Sequence, residues 1–284
     1  MSMNRSAKKL LSRVSRLSHH PRSDSLAVIM YHSIGDGDAS SVAAREFDAQ
    51  MAYLAQSQAV RPLVWGKPLP PSTVPTVLVT FDDGYEDNHR IAAPILREHG
   101  IKALFFITSG FINNKIKINQ NFATYGSLKP MNWDQVASLV EDGHSIGLHG
   151  HTHRLFSKLS PQEAQEEMLT SLEVFQQYLG IRPTTFAYPV GQLEHQRRDL
   201  NALFEQQHIH HVFTTQHRTL RYSKLLNHRE GVLHIPRVSV DAEDTSCVYR
   251  EKLFGYWDLV ANMQWLRSCI RTRSLYPHMQ FQRQ

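Results

Sequence analysis

The chain has 284 residues, 41% of them hydrophobic, and 31 Lys and Arg against 26 Asp and Glu give it a formal charge of +5. That length fits one large α/β domain or two small ones, with enough apolar side chains for a real core. The mild basicity favours anionic surfaces, but no dense Lys/Arg block or aromatic-interleaved basic stripe crosses the domain, so nucleic acid is not expected as a partner. No apolar run approaches the roughly 18 residues of a membrane span. The two cysteines, Cys247 and Cys269, form no CxxC pattern and argue against a disulfide scaffold.

Residues 1–24 begin basic, as a signal peptide does, but lack the uninterrupted apolar stretch one needs, so a cytoplasmic location is expected. Leu10, Leu11, Val14 and Leu17 recur at helical spacing against Lys8, Lys9, Arg13 and Arg16. The pattern allows either a short basic amphipathic helix on the inner, anionic face of a membrane or a solvated tail. From Ser25 onward α/β character begins. LAVIMYHSI predicts a strand, and REFDAQMAYLAQS a helix burying Phe47, Met51 and Leu54. The proline-rich KPLPPSTVP is a rigid connector, and TVLVTFDDG follows as a buried strand stopped by two carboxylates and a glycine.

Residues 85–99 predict a helix, IKALFFITS a strand, residues 111–129 a polar loop over the strand mouths, and residues 132–142 a further helix. HSIGL predicts the next strand. Ser160, Pro161 and Glu163 carry the signature of a capped helix start running to Leu179. TTFAYPVG, IHHVFTT and VLHIPRVSV supply three more strands, with a helix near residues 197–206 between the first two. Strands alternating with helices imply parallel strands and crossover connections. The tail from Val248, rich in Tyr, Trp and Arg, predicts a packed C-terminal helix that is also compatible with a membrane surface. The division expected is a basic segment over residues 1–24, an α/β domain over 25–245 and a helical tail over 246–284.

Two constellations carry chemistry. Asp82 and Asp83 leave the end of their strand side by side and point different ways, which lets one hold a metal while the other faces a reacting water; a solvated Asp-Gly turn is the plain alternative. His149, His151 and His153, in LHGHTHR, also follow a strand end, and a carboxylate with two imidazoles suits zinc or a similar divalent ion. The alternative is a pH-sensitive loop, since the chain has 17 histidines. A second cluster, HIHH at residues 208–211, falls inside a strand and reads as structural.

TFDDG, HGHTH and FAYPVG, in this order and spacing, resemble the motif set of the polysaccharide deacetylase family, the NodB homology or carbohydrate esterase family 4 domain. MYHSIGD, EFDAQMAYL, PILREHGIKALFFI, MNWDQVASLVEDGHSIG and LHIPRVSV agree with it. The resemblance implies a distorted (β/α) barrel. It also implies a metal held by Asp83, His149 and His153, most readily Zn2+ with Co2+, Ni2+ or Mn2+ also compatible. It makes Asp82 the general base, and Tyr188 an oxyanion donor through its backbone N–H. A late histidine would be the general acid, with His234 the first candidate and His217 the second. His151 is a neighbour rather than a ligand. Gly150 and Arg154 stand where the family has Ser or Thr and Pro, which removes a hydroxyl that would brace the loop. The expected activity is metal-dependent N-deacetylation of an amino sugar in a saccharide or lipid-linked precursor. A non-sugar amide hydrolase and an inactive carbohydrate-binding module are the alternatives.

Overall fold

The computed structural model describes residues 22–35, 41–116 and 128–263. The basic N-terminal pattern, much of the polar loop after Phe111, and Cys269 lie outside the described residues. The described residues contain eight parallel strands: β1 (Leu26–Tyr31), β2 (Arg61–Pro62), β3 (Thr76–Phe81), β4 (Ala103–Ile107), β5 (Ser145–Leu148), β6 (Thr185–Ala187), β7 (His211–Thr215) and β8 (Leu233–Ser239). Seven of them, all but β2, close a barrel, because β1 pairs with both β3 and β8.

The expected barrel is therefore present, and the register shows where it is distorted. Along β1 all six residues pair with β3, yet β8 is reached only through Ile29↔Val238 and Met30↔Ser239. The lower part of that seam is filled by Leu220, which exchanges both backbone hydrogen bonds with Leu26 at 2.7 and 2.9 Å. Likewise β4 meets β3 only from Val79 upward, and the two-residue β2 covers the lower part of β3 through Thr76 and Val77. These irregular insertions satisfy strand edges that would otherwise be buried without partners.

Strand periodicity sorts side chains into two cores. Leu26, Val28, Leu78, Leu104, Phe106, Phe213, Leu233 and Ile235 fill the barrel interior. Ile29, Tyr31, Val79, Phe81, Phe105, Leu148, Val212 and Val238 face outward against the helices. Helix α1 (Ala44–Gln56) buries Phe47, Met51 and Leu54, as its spacing predicts. After β3, a π-helical turn at Asn88–Ala92 leads into α2 (Ala93–Glu98). Helix α3 (Trp133–Glu141) opens with a reciprocal cap between Asn132 and Gln135. The longer α4 (Pro161–Leu179) opens with the same device between Ser160 and Glu163 and ends at Gly180, whose left-handed φ of 66° suits glycine. Short helices α5 (Asn201–Gln206) and α6 (Tyr222–Leu226) follow. Helix α7 (Ser246–Leu253) buries Val248, Tyr249 and Leu253 and carries the exposed Cys247.

Candidate metal centre and active site

β3 delivers both carboxylates to the C-terminal mouth of the barrel. Asp82 keeps the interior parity of Leu78, and its N–H extends the ladder to the Tyr31 carbonyl at 3.0 Å. Asp83 then turns with φ of 76°, a conformation that few non-glycine residues adopt, so its carboxylate leaves in another direction. Both side chains are buried, at 2% and 1% exposure.

β5 delivers the imidazoles. His149 is buried, and its Nδ1 lies 2.9 Å from the Ala187 carbonyl. A carbonyl can only accept, so Nδ1 carries a proton and, in the neutral ring, Nε2 presents its lone pair to the mouth. That Nε2 lies 3.4 Å from Asp83 Oδ1 and 3.9 Å from Asp82 Oδ2. His153, at φ of 59°, brings its Nε2 to 3.2 Å from the same Asp83 oxygen. Two of the three residues therefore hold strained left-handed backbone, a pattern that clusters at functional sites. The potential ligand atoms of Asp83, His149 and His153 all lie within 4.8 Å of one another. Donors around a tetrahedral zinc, each about 2.0–2.2 Å from the ion, sit roughly 3.3–3.5 Å apart, so this set fits such an ion with little rearrangement. The donor chemistry fits as well: one carboxylate and two neutral imidazoles leave a position free.

Electrostatics separates the two aspartates. Burial alone would raise the Asp82 carboxyl, but Arg237 and, less strongly, His149 outweigh it and hold the group below the usual range. Arg237 comes from β8, is fully buried, and donates two parallel hydrogen bonds to Asp82 at 2.6 and 2.7 Å while lying over the Phe106 ring. Burial opposes ionisation of Asp83 too, and here His153 and His149 win, holding it well below the usual range. For His149, burial would lower the imidazole, yet Asp82 and Asp83 raise it on balance.

Four further side chains singled out by the sequence have these surroundings. His234 is near the start of β8, with the outward parity of Val238. Its Nε2 meets Asn201 Oδ1 at 3.0 Å, and burial beside Arg198 lowers it to about 4. Its side chain thus takes the outward face of β8, and burial favours the neutral ring. Tyr188 has its polar groups engaged elsewhere: its N–H donates to the Phe213 carbonyl at 3.2 Å and its hydroxyl to the Arg197 carbonyl at 3.0 Å. That N–H bond belongs to the last pair of the β6–β7 ladder, Ala187↔Phe213. His217 is buried with its ring 5.8 Å from Trp257. His151 turns aside to Ser109 Oγ at 2.9 Å, as a neighbour rather than a ligand.

Two residues at the mouth escaped the sequence reading. Arg237 lies in LHIPRVSV, and its strand parity with Leu233 and Ile235 is its signal in the sequence. His32 follows β1 directly, is half-buried, and acts electrostatically on both Asp82 and Asp83. Its signal was its place at a strand end, in MYHSI.

A family model described as polysaccharide deacetylase matches residues 70–209. YxkH of Bacillus subtilis strain 168, whose name assigns it provisionally to the polysaccharide deacetylases, is 32% identical over 171 residues, 58% of this chain and 57% of that protein. The peptidoglycan-N-acetylglucosamine deacetylase PgdA of Listeria monocytogenes is 27% identical over 121 residues, 42% of this chain but 22% of its own length. The chain thus spans little more than half of one curated relative and a fifth of the other. Among solved structures, IcaB from Ammonifex degensii superimposes with a TM-score of 0.66 at 24% identity, covering 83% of this chain and 98% of that one.

Proposed function

Over residues 70–209 the chain belongs to the polysaccharide deacetylase family, and from that premise we propose that it is a metal-dependent hydrolase removing the N-acetyl group from an amino sugar. The observation that carries the reading is the pairing of a ligand triad, Asp83, His149 and His153, with a second carboxylate, Asp82, held ionised beside it by Arg237. When bound, a divalent ion of the zinc type supplies Lewis acidity toward the acetyl carbonyl and the attacking water. Asp83, with the Nε2 atoms of His149 and His153, would hold it.

Asp82 accepts the proton of the water that attacks the acetyl carbon. Arg237 fixes its orientation and, being buried and bidentate, keeps it from collapsing onto the neighbouring imidazole. The departing amine needs a proton as the C–N bond breaks, and His32, beside Asp82 at the end of the neighbouring strand β1, is the donor we assign. The acetylated sugar class is supported by the name of PgdA, and a soluble or lipid-linked saccharide remains the substrate form proposed. Among the described residues no helix is long and apolar enough to cross a membrane.

The test is acetate release from N-acetylglucosamine oligosaccharides, a lipid-linked N-acetyl saccharide and simple acetamides, with Asp82→Asn in parallel. Turnover on a sugar substrate is expected, falling on the order of 10²-fold or more in Asp82→Asn while zinc stays bound. Preference for a non-sugar amide, or equal loss of zinc and activity in Asp82→Asn, would overturn the reading.

A further inference from the structure

The loop that carries His151, Thr152 and His153 lacks the hydroxyl that would brace it from position 150, where Gly150 stands at φ of 77°. Even so, the loop is held from two sides. From the end of β4, the Gly110 N–H donates to the His151 carbonyl at 2.9 Å, and the Ser109 N–H to the Gly150 carbonyl at 3.3 Å. A Cβ at Gly110 would stand 2.6 Å from that same His151 oxygen, so the approach is as close as glycine permits. The second grip comes from α4. Glu167 Oε2 accepts from the N–H of His151 and the N–H of Thr152, both at 2.9 Å, and its Oε1 accepts from the Thr152 hydroxyl. One turn along the helix, the Ser171 hydroxyl donates to the Gly150 carbonyl at 3.4 Å.

Glu167 stands out on its own helix. The buried face of α4 is Ala164, Met168, Leu172 and Phe175 with Ser171, and Glu167, at 7% exposure, is the one charged side chain on it. Burying a carboxylate is costly unless it is fully hydrogen-bonded, and here its bonds all go to the two residues preceding His153. Gly150 belongs to the same arrangement, because a Cβ there would approach Glu167 Oε2 to 3.3 Å.

We propose that Glu167 is a positioning residue for the metal centre: through the backbone of His151 and Thr152 it holds His153 in its left-handed conformation with Nε2 aimed at Asp83, and so sets metal affinity. The inference rests on the metal-centre reading above. Outer partners that orient ligands typically change metal affinity by about 10–100-fold when removed.

The experiment measures Zn2+ dissociation constants by competition with a chromophoric chelator, in the full chain, at a temperature where far-UV circular dichroism shows each variant folded. Glu167→Ala is expected to weaken Zn2+ binding by about 10–100-fold. Glu167→Gln should fall between it and the wild type, roughly 3–10-fold weaker, because its amide oxygen still accepts from both N–H groups but without the charge. A merely structural glutamate would lower the melting temperature of the protein without zinc and leave the dissociation constant alone. Affinity within about twofold of wild type in folded Glu167→Ala overturns the proposal, and if that variant does not fold, the same result in Glu167→Gln does so. Asp83→Ala, run alongside, separates the two readings. Wild-type affinity in Asp83→Ala would sink the metal centre itself, whereas loss there with unchanged affinity in the Glu167 variants would sink only the role of Glu167.

Discussion

The two ends of the barrel treat histidine in opposite ways. At the C-terminal mouth, His149 and His153 face Asp83, and His32 acts on both aspartates. At the N-terminal end, His144, His211 and His234 stand just before or at the start of β5, β7 and β8, and each is lowered to about 4, chiefly by burial. No carboxylate compensates His211, which packs against Trp65 and His228. The Nδ1 of His144 accepts the Ala103 N–H and serves as a neutral strand-end acceptor. The same residue type is thus a candidate ligand where strands release carboxylates and a desolvated packing group where they begin. Strand direction, rather than histidine density, separates function from structure here.

The sharpest way to break this comparison is to remove one histidine or carboxylate from each end and measure bound zinc by elemental analysis. Asp83→Ala or His153→Ala should lose nearly all of the metal, since either leaves two ligands. His211→Ala should retain it. Zinc retained in both mouth variants, or lost in the His211 variant, would erase the distinction.

The proton donor gives the next largest contrast. His32→Ala should cost on the order of 10²-fold or more on an N-acetyl sugar and much less on an activated acetate ester, whose leaving group needs no proton. His234→Ala should show no such selectivity. The selective pattern at His234 instead would restore the role that its outward placement denies it.

Arg237→Met tests the buried pair at the mouth. Leaving Asp82 buried and uncompensated should cost about 3–5 kcal/mol of stability, read from the denaturant midpoint, together with most of the activity. A shift under about 1 kcal/mol would mean that the pair is solvated or rearranged.

The smallest effect concerns the lower histidines. A folded-state value near 4 for His211, against about 6.5 in the unfolded chain, means that the unfolded chain takes up protons first as the pH falls. The stability this group contributes is intact above about pH 6.5 and lost as pH drops toward 4. Melting temperature should therefore decline over that window, and His211→Gln should decline less steeply. Identical slopes would show that His211 titrates normally.

Much of this was legible in the sequence for a physical reason. Strands announce themselves by apolar runs, α4 by Ser160, Pro161 and Glu163, and the candidate metal ligands by carboxylates and imidazoles placed just past strand ends. The parts that were not legible depend on which face of a strand a residue takes. His234 and Arg237 lie three apart on β8, so period-two alternation puts them on opposite faces, and nothing local says which face is the interior. Tyr188 shows the same limit. Its N–H was expected to face the mouth, but it is bonded to the Phe213 carbonyl on β7. The roles of Glu167 and His32 depend on contacts between elements far apart in the chain, which no single stretch records.

The most direct measurement is metal removal and return. Chelator-stripped protein should release no acetate from N-acetylglucosamine oligosaccharides, and activity should return in proportion to added Zn2+, reaching its plateau at one equivalent in the wild type and not returning in Asp83→Ala. Full turnover by the stripped protein, or equal recovery in Asp83→Ala, would contradict the account.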